Sequence, residues 1–435
     1  MARTLAVWTP EDKQFWAQQG QAIANINLWI SVPALFLAFA VWQLWSVVAV
    51  NLNSLGYKFT PNQLFWLAAA PALSGATLRI FYSFMVPVFG GRRWTAISTA
   101  SLLIPAVGIG MAIQSPGTSY TTFLVLALLC GFGGGNFSSS MANINFFFPK
   151  ERKGSALGVN AGLGNLGVSA VQFMAPLVIA AGVYGPLAGG PQVIVNRAGE
   201  TVHIWAQNAA FVWVPFIVIA SIAAWIGMND LASARASVFE QMVIFKRKHN
   251  WIMCWLYLGT FGSFIGYSAG FPLLIRNQFP EVSALAYAWV GPLVGAVIRP
   301  FGGWLADKLG GALVTFWNFV VMAAAVGGVL WFLQAHSFAG FFACFMLLFL
   351  TTGIGNGSTF RMIPIIFPPK EASPVLGFTA AMGAYGGFFI PKSYGTSIEL
   401  TGGPQGALYV FIFFYLTCIA LTWWYYARRN APMPC

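Results

Sequence analysis

The sequence predicts an all-α membrane protein with twelve transmembrane helices in two pseudo-symmetric six-helix bundles. Composition is the first reason: charged residues make up only 7% of the 435 residues and apolar residues make up 58%, whereas an ordinary soluble domain has about 25% charged residues. The second reason is that the apolar residues form long runs. The third is that the second half of the chain repeats the pattern of the first.

Each helix that crosses a bilayer needs about 20 mostly apolar residues, and twelve segments meet this requirement. The predicted spans are 28–53, 64–88, 95–113, 120–148, 155–183, 205–228, 251–274, 284–306, 313–334, 338–367, 373–398 and 405–427. Before the first span, Thr9, Pro10 and Asp12 indicate a helix start with proline at its first position. The aromatic residues Trp8, Phe15 and Trp16 then either rest this helix on the membrane surface or belong to a frayed tail.

The distribution of basic residues predicts how the chain crosses the membrane. With the N-terminus placed inside, fifteen Lys and Arg fall on the inner side and four on the outer side. The positive-inside rule therefore places both termini in the cytoplasm. The net charge of +12 is explained by this topology, so nucleic acid is not an expected partner.

An internal duplication divides the chain. When the sequence is shifted by 220 residues it overlays itself at many positions. Among the matched pairs are Arg79 with Arg299, Gly90 with Gly310, Thr95 with Thr315, Asn136 with Asn356, Ser138 with Ser358 and Lys150 with Lys370. We therefore predict one half at 1–228, a cytoplasmic linker at 229–250 and a second half at 251–435. Parallel repeats of this kind place a binding site near the bilayer midplane.

Arg79 and Arg299 each lie inside an apolar span. A guanidinium stays charged at any biological pH, and one at the centre of a membrane helix costs about 2.5–3.5 kcal/mol on insertion scales. None of the ten acidic residues falls clearly in the middle of a predicted span, and no histidine does. We therefore expect the two arginines to share an anion, and their planar forks suit a small planar oxyanion.

Other classes of function find little support in the residues. The five cysteines show no CxxC or Cys/His spacing, so neither a metal site nor a cofactor is expected. An enzyme would need a nucleophile–base pair or a metal set within a span, and a haem or quinone enzyme would need histidine there; we predict that the protein is not an enzyme. A channel is disfavoured by the duplicated halves. A receptor that binds an anion without moving it stays open.

Several segments resemble a known family. The stretch 302–311, GGWLADKLGG, resembles the inner-loop motif of the major facilitator superfamily, although the first half carries Pro87 in place of the motif's aspartate. The Gly-rich runs 133–150 and 158–167, with counterparts at 355–367 and 377–392, resemble the signature segments of the nitrate/nitrite porter family, the NarK type. Together with both arginines, they extend the resemblance over nearly the whole chain.

The resemblance implies a substrate site. Arg79 and Arg299 would clamp the anion, Phe137 would stack on its plane, and Asn165 would donate an amide hydrogen bond. Tyr257 would supply a hydroxyl group and Phe261 an apolar wall, and these last two share a helix face at i, i+4. Arg361 departs from the family pattern, and it is either an inner gate or a residue that binds lipid phosphate.

The resemblance also implies an activity. We expect a multi-pass secondary transporter of the bacterial inner membrane, a monomer in the lipid bilayer that moves nitrate and nitrite. The preferred mechanism is nitrate/nitrite antiport by rocker-switch alternating access, because two buried cations repel each other until an anion is bound. The alternative is a nitrate/proton symporter, although proton coupling usually needs an intramembrane acid or histidine.

Overall fold

The computed structural model describes residues 4–195, 199–232 and 242–435. Arg3, Arg197 and Arg235, which enter the predicted charge distribution, lie outside these residues, as does the 233–241 part of the linker. Within the described ranges, eleven helices are long and apolar enough to cross a membrane. The all-α membrane fold is thus confirmed.

The first half of the chain is a succession of helices joined by short turns. They are α1 (Lys13–Phe15), α2 (Gln21–Trp42), α3 (Trp45–Leu52), α4 (Pro61–Tyr82), α5 (Met85–Phe89), α6 (Gly91–Ala100), α7 (Leu103–Ile113), α8 (Tyr120–Leu129), α9 (Gly131–Phe147), α10 (Lys150–Ile179), α11 (Asn208–Phe211) and α12 (Val214–Gly227). Short π-helical and 3-10 turns at Trp16–Gly20, Asn53–Leu55 and Gly185–Ala188 complete this set.

The helices of the second half follow the same general plan. They are α13 (Lys248–Tyr257), α14 (Ser263–Gln278), α15 (Ala284–Tyr287), α16 (Val290–Leu309), α17 (Gly311–Gln334), α18 (Phe338–Ile366), α19 (Pro369–Ala384), α20 (Gly386–Thr401) and α21 (Gln405–Thr422). A 3-10 turn covers Met242–Lys246, and π-helical turns cover Leu258–Gly262 and Trp423–Ala427. Four short strands, β1 (Thr4–Leu5), β2 (Gln192–Val195), β3 (Thr201–Ile204) and β4 (Asp230–Leu231), form the pairs β1–β4 and β2–β3.

The chain divides into two compact units. The first comprises Met1–Leu44, Ser74–Gln192 and His203–Val238, and the second comprises Trp45–Leu73, Val193–Val202 and Phe239–Cys435. In the first unit, α2 packs against α9, α10 and α12, and α6 packs against α9 and α12. In the second, α18 packs against α16 and α17, and α14 packs against α3 and α20.

The N-terminal segment departs from the prediction. Its helix begins at Lys13 rather than at Pro10, because the Asp12 side chain caps it by accepting hydrogen bonds from the backbone N–H groups of Gln14 and Phe15. Trp8 and Trp16 are buried in a cluster with Phe147 and Phe148. The segment is thus neither a frayed tail nor a helix laid on lipid, because its tryptophan rings pack against apolar residues of the protein.

The predicted span 373–398 is present as two consecutive helices of 16 residues each, α19 and α20, with Tyr385 between them. The break coincides with a close approach of the chain at Gly262, since a Cβ added at Gly386 would collide with the backbone of Gly262. Sharp bends in membrane helices are commonly found at glycine-rich points of this kind. The hydropathy of the sequence cannot predict this contact between Gly386 and Gly262.

Gly90 and Gly310 give the duplication a structural counterpart. They adopt the left-handed backbone angles φ +86° and +90°, which favour glycine. Each immediately precedes a long helical segment, at Gly91 and at Gly311. The matched sequence positions therefore perform the same local turn in both units.

Candidate functional site

The first unit holds Arg79 where two helices cross very closely. A Cβ added at Gly134 of α9 would lie 2.8 Å from the Cα of Gly75 of α4, so only glycine permits this approach. The crossing brings the side chain of Arg79, one helical turn beyond Gly75, to the backbone of α9. Its Nε donates a hydrogen bond of 2.8 Å to the carbonyl oxygen of Gly134.

Aromatic rings complete the surroundings of Arg79. Its Cζ atom lies 4.7 Å from the ring centroid of Phe137 and 4.9 Å from that of Trp42. Such cation–π contacts are strongest where water is excluded, and the Arg79 side chain is fully buried. The structure thus brings the predicted residues Arg79 and Phe137 together, and adds Trp42, which the sequence did not single out.

Asn165 lies on α10 in the same unit. The residue is 1% exposed, and neither its amide nitrogen nor its amide oxygen has a hydrogen-bond partner among the described residues. Buried side-chain amides are normally paired. Asn165 therefore retains a full set of hydrogen-bonding atoms with which to bind a polar ligand.

The second unit holds Arg299 near the middle of α16. Its Nη2 donates a hydrogen bond of 3.2 Å to the hydroxyl oxygen of Tyr257, so the structure brings these two residues together. Arg299 is 9% exposed, and its Nη1 has no hydrogen-bond partner within the described part of the chain. No described carboxylate forms an ion pair with it. The result is a buried cation with neutral neighbours.

Three aromatic rings form a stack beside Arg299. The Tyr257 ring is stacked with that of Phe261, at a centroid distance of 5.3 Å, and with that of Phe360, at 4.3 Å, with interplanar angles of 11° and 14°. Phe261 lies within the π-helical turn Leu258–Gly262, which directly follows Tyr257, and such turns are frequent at functional sites. The Arg299 Cζ atom lies 5.4 Å from the Phe360 centroid.

Phe360 is the main residue that sequence reasoning missed. Its position differs between the halves: the counterpart of Phe137 at a shift of 220 is Gly357, and Phe360 follows one helical turn later. A Cβ at Gly357 would lie 2.5 Å from the Arg299 carbonyl oxygen, so a phenylalanine has no room there. A search for an aromatic residue one turn away could have found Phe360.

Arg361, the proposed gate, pairs with Asp307 of the inner-loop motif. Both side chains belong to the second unit and are about half exposed, at 54% and 48%. The pair joins α18 to the end of α16 and engages the guanidinium with a carboxylate of the protein itself. A gating role for Arg361 stays a prediction.

The sequence is similar to a known protein family and to individual transporters. Residues 31–391 match the model of the Major Facilitator Superfamily. The chain is 51% identical to "Nitrate/nitrite transporter NarU" of Escherichia coli (strain K12), over 97% of this chain and 96% of that protein. It is 42% identical to "Probable nitrate/nitrite antiporter NarK2" of Thermus thermophilus, over 98% and 97%.

Solved structures agree on the fold. The crystal structure of a D-xylose-proton symporter superposes with a TM-score of 0.69 at 13% identity, over 94% of this chain and 98% of that one. This likeness concerns the fold alone, whereas the near full-length sequence identities concern the family. The chain, a multi-pass membrane protein, belongs to the nitrate/nitrite porter family of the major facilitator superfamily.

Proposed function

We propose that this protein is a secondary transporter that exchanges nitrate and nitrite across the bacterial inner membrane by alternating access, and that Arg79 and Arg299 bind the transported anion. Both termini lie in the cytoplasm in this proposal, and the functional unit is a monomer. The relatives named above as a nitrate/nitrite transporter and as an antiporter support the substrate and the exchange.

The observation that carries the proposal is the environment of Arg299. A permanent cation is buried in a membrane helix with a phenolic hydroxyl and an aromatic face as its neighbours. Neither neighbour bears a negative charge, and the cost of such a site is several kcal/mol when no counter-ion is present. A bound monovalent anion supplies the missing charge and accepts a hydrogen bond from Nη1.

The shape of the site favours a small planar anion. A guanidinium presents parallel N–H groups that match two oxygens of one oxyanion, and the flat faces of the aromatic stack offer a surface for a planar group. Arg79, the duplicated counterpart, has the same kind of setting, with the Phe137 and Trp42 rings beside it. Asn165 and Tyr257 then supply neutral hydrogen bonds to the oxygens.

Obligatory exchange follows if each reorientation requires a loaded site. A carrier in which the buried Arg299 is neutralised by its cargo turns over readily with an anion bound and poorly without one. Net nitrate uptake is then driven by nitrite that leaves the cell on the same carrier. A protein-borne carboxylate or histidine beside the arginines would remove this requirement, and the sequence has none in the middle of either span.

A counterflow experiment tests the proposal. Purified protein is reconstituted into vesicles loaded with nitrite, with nitrate, or with neither, and uptake of labelled nitrate is followed. We expect rapid uptake in the first two cases and almost none in the third. Undiminished uptake into vesicles that lack both anions, driven by a pH gradient, would establish the nitrate/proton symport instead.

A further inference from the structure

A small cavity in the first unit is lined mainly by neutral polar side chains and lies outside the set of residues assigned to the anion. Its lining residues are Ala34 and Leu35 of α2, Thr95, Ser98 and Thr99 of α6, and Asn136, Ser139 and Ser140 of α9. On both α6 and α9 the polar residues follow the spacing i, i+3, i+4, which places them on one face of each helix. Two hydroxyl-bearing faces thus meet within a membrane domain.

Two polar atoms at this cavity lack protein partners. The Asn136 amide nitrogen donates a hydrogen bond of 3.3 Å to the carbonyl oxygen of Ser98. The amide oxygen of Asn136 and the hydroxyl of Thr99 have no partner in the described ranges, although the residues are 5% and 1% exposed. Buried polar groups are nearly always satisfied by protein or by ordered water, so this pair calls for a ligand.

The chemistry of the lining selects the ligand. None of the eight lining residues is charged, so an anion would find no cation and a metal ion would find no carboxylate. A water molecule can donate to the amide oxygen of Asn136 and also bond the Thr99 hydroxyl, and buried waters typically make about three such bonds. We propose that this cavity is a binding site for ordered water, held between Asn136 and Thr99.

The duplication indicates that this site belongs to the first half. At a shift of 220, Thr99 corresponds to Phe319 and Ser140 to Phe360, so two of the six polar lining positions carry phenyl rings in the second half. Phe360 stacks on Tyr257 there. The other four positions stay polar in the second half, as Thr315, Asn318, Asn356 and Thr359. Phe319 in place of Thr99, however, removes one of the two groups that would hold the water.

The position of the water site suggests what it supports. Gly134 and Phe137 of α9 contact Arg79, whereas Asn136 and Ser139 line the cavity, and at 100° per residue these pairs project from different sides of the helix. Water bound on one side therefore stabilises the helix that presents its other side to Arg79. This inference does not depend on which anion the protein carries.

The direct test is a structure of the full chain in lipid nanodiscs at a resolution that shows ordered solvent. We expect a density peak within hydrogen-bonding distance of both the Asn136 amide oxygen and the Thr99 hydroxyl. A cavity without density in such a map overturns the proposal. A peak at metal–oxygen distances, with a melting temperature that rises in sodium chloride but not in choline chloride, overturns it in favour of a cation.

Matched variants give a second test. Thr99→Val keeps the shape of the side chain and removes the hydroxyl, whereas Thr99→Ser keeps the hydroxyl. We expect Thr99→Val to lose the water peak and to lower the melting temperature, and Thr99→Ser to retain the peak. Retention of the peak in Thr99→Val together with an unchanged melting temperature would show that the hydroxyl does not hold the water.

Discussion

At the scale of single residues, the choice of arginine at position 299 carries a specific meaning. Arg299 donates to Tyr257 through Nη2 while its Nη1 faces no protein acceptor among the described residues. One side chain thus makes a bond to the protein and offers another to a ligand, which a lysine ammonium cannot do with the same planar geometry.

We therefore predict that Arg299→Lys retains folding but loses transport by at least about tenfold, the equivalent of one charge-assisted hydrogen bond of about 1.5 kcal/mol. Nitrate counterflow, normalised to the amount of reconstituted protein, measures the loss. Arg93→Lys is the matched control, because that side chain is 59% exposed and should tolerate the exchange. Equal activity of the two variants would contradict a role for the planar guanidinium of Arg299 in binding the anion.

The Phe360 ring contacts both the Tyr257 ring, on which it stacks, and the guanidinium of Arg299. Aromatic pairs contribute about 0.5–1.5 kcal/mol beyond the burial of their surface. We predict that Phe360→Leu raises the KM for nitrate by about two- to tenfold, because Tyr257 and Arg299 lose the face against which they are ordered. Phe389→Leu, at a position that is 53% exposed, is the control. An unaltered KM in Phe360→Leu would assign the ring to packing alone.

At the scale of elements, glycine contacts set the distance between helices. A Cβ at Gly357 of α18 would lie 2.5 Å from the backbone of α16 at Arg299, whereas a Cβ at Gly303 of α16 would meet nothing within 4 Å. We predict that Gly357→Ala destabilises the protein by about 1–3 kcal/mol, the usual cost of overpacking. Gly303→Ala should leave the melting temperature nearly unchanged. Similar melting temperatures for the two variants would show that the crossing adjusts freely.

Two ion-paired carboxylates, Asp230 and Asp307, differ in how deeply they are buried. Asp230 accepts hydrogen bonds from the backbone N–H and the Nε of Arg92, and both side chains are almost fully buried. Asp307 pairs with Arg361 where both are about half exposed. Exposed pairs contribute about 0–1 kcal/mol, while breaking a buried pair costs about 3–5 kcal/mol.

We accordingly predict that Asp230→Asn lowers the melting temperature far more than Asp307→Asn does. Thermal unfolding of both variants in the same detergent gives the comparison. The reverse order would mean that Asp307 has a conformational role that its exposure does not reveal.

The elements also show what the sequence could and could not predict. The spans follow from apolar runs, and Arg79 and Arg299 stand out because charge is rare in such runs. The break at Tyr385 coincides with a close approach of Gly386 to Gly262, which is more than a hundred residues away in the chain. Phe360 was missed for another reason: it lies one helical turn after the position that matches Phe137, and among 40 phenylalanines it stands out only when such a displacement is searched for.

At the scale of the whole molecule, the duplication is visible in equivalent hydrogen bonds at one helix start in each unit. After Gly90-Gly91, the Arg92 N–H donates to the Asp230 side chain, which follows α12. After Gly310-Gly311, the equivalent Ala312 N–H donates to the carbonyl oxygen of Cys435, which follows α21. The same helix start is thus closed in each unit by an oxygen that follows a late helix, although the residues that supply it are unrelated.

The exchange proposal makes a prediction for the molecule as a whole. A membrane potential of 100 mV changes the free energy of moving one charge by about 2.3 kcal/mol, but a one-for-one exchange of monovalent anions moves no net charge. The rate of nitrate/nitrite counterflow in vesicles should therefore be unchanged when potassium and valinomycin impose a potential of either sign. Vesicles without valinomycin are the control. Acceleration by an inside-positive potential would show that net charge moves with nitrate, and the obligatory coupling between entering and leaving anions would then be wrong.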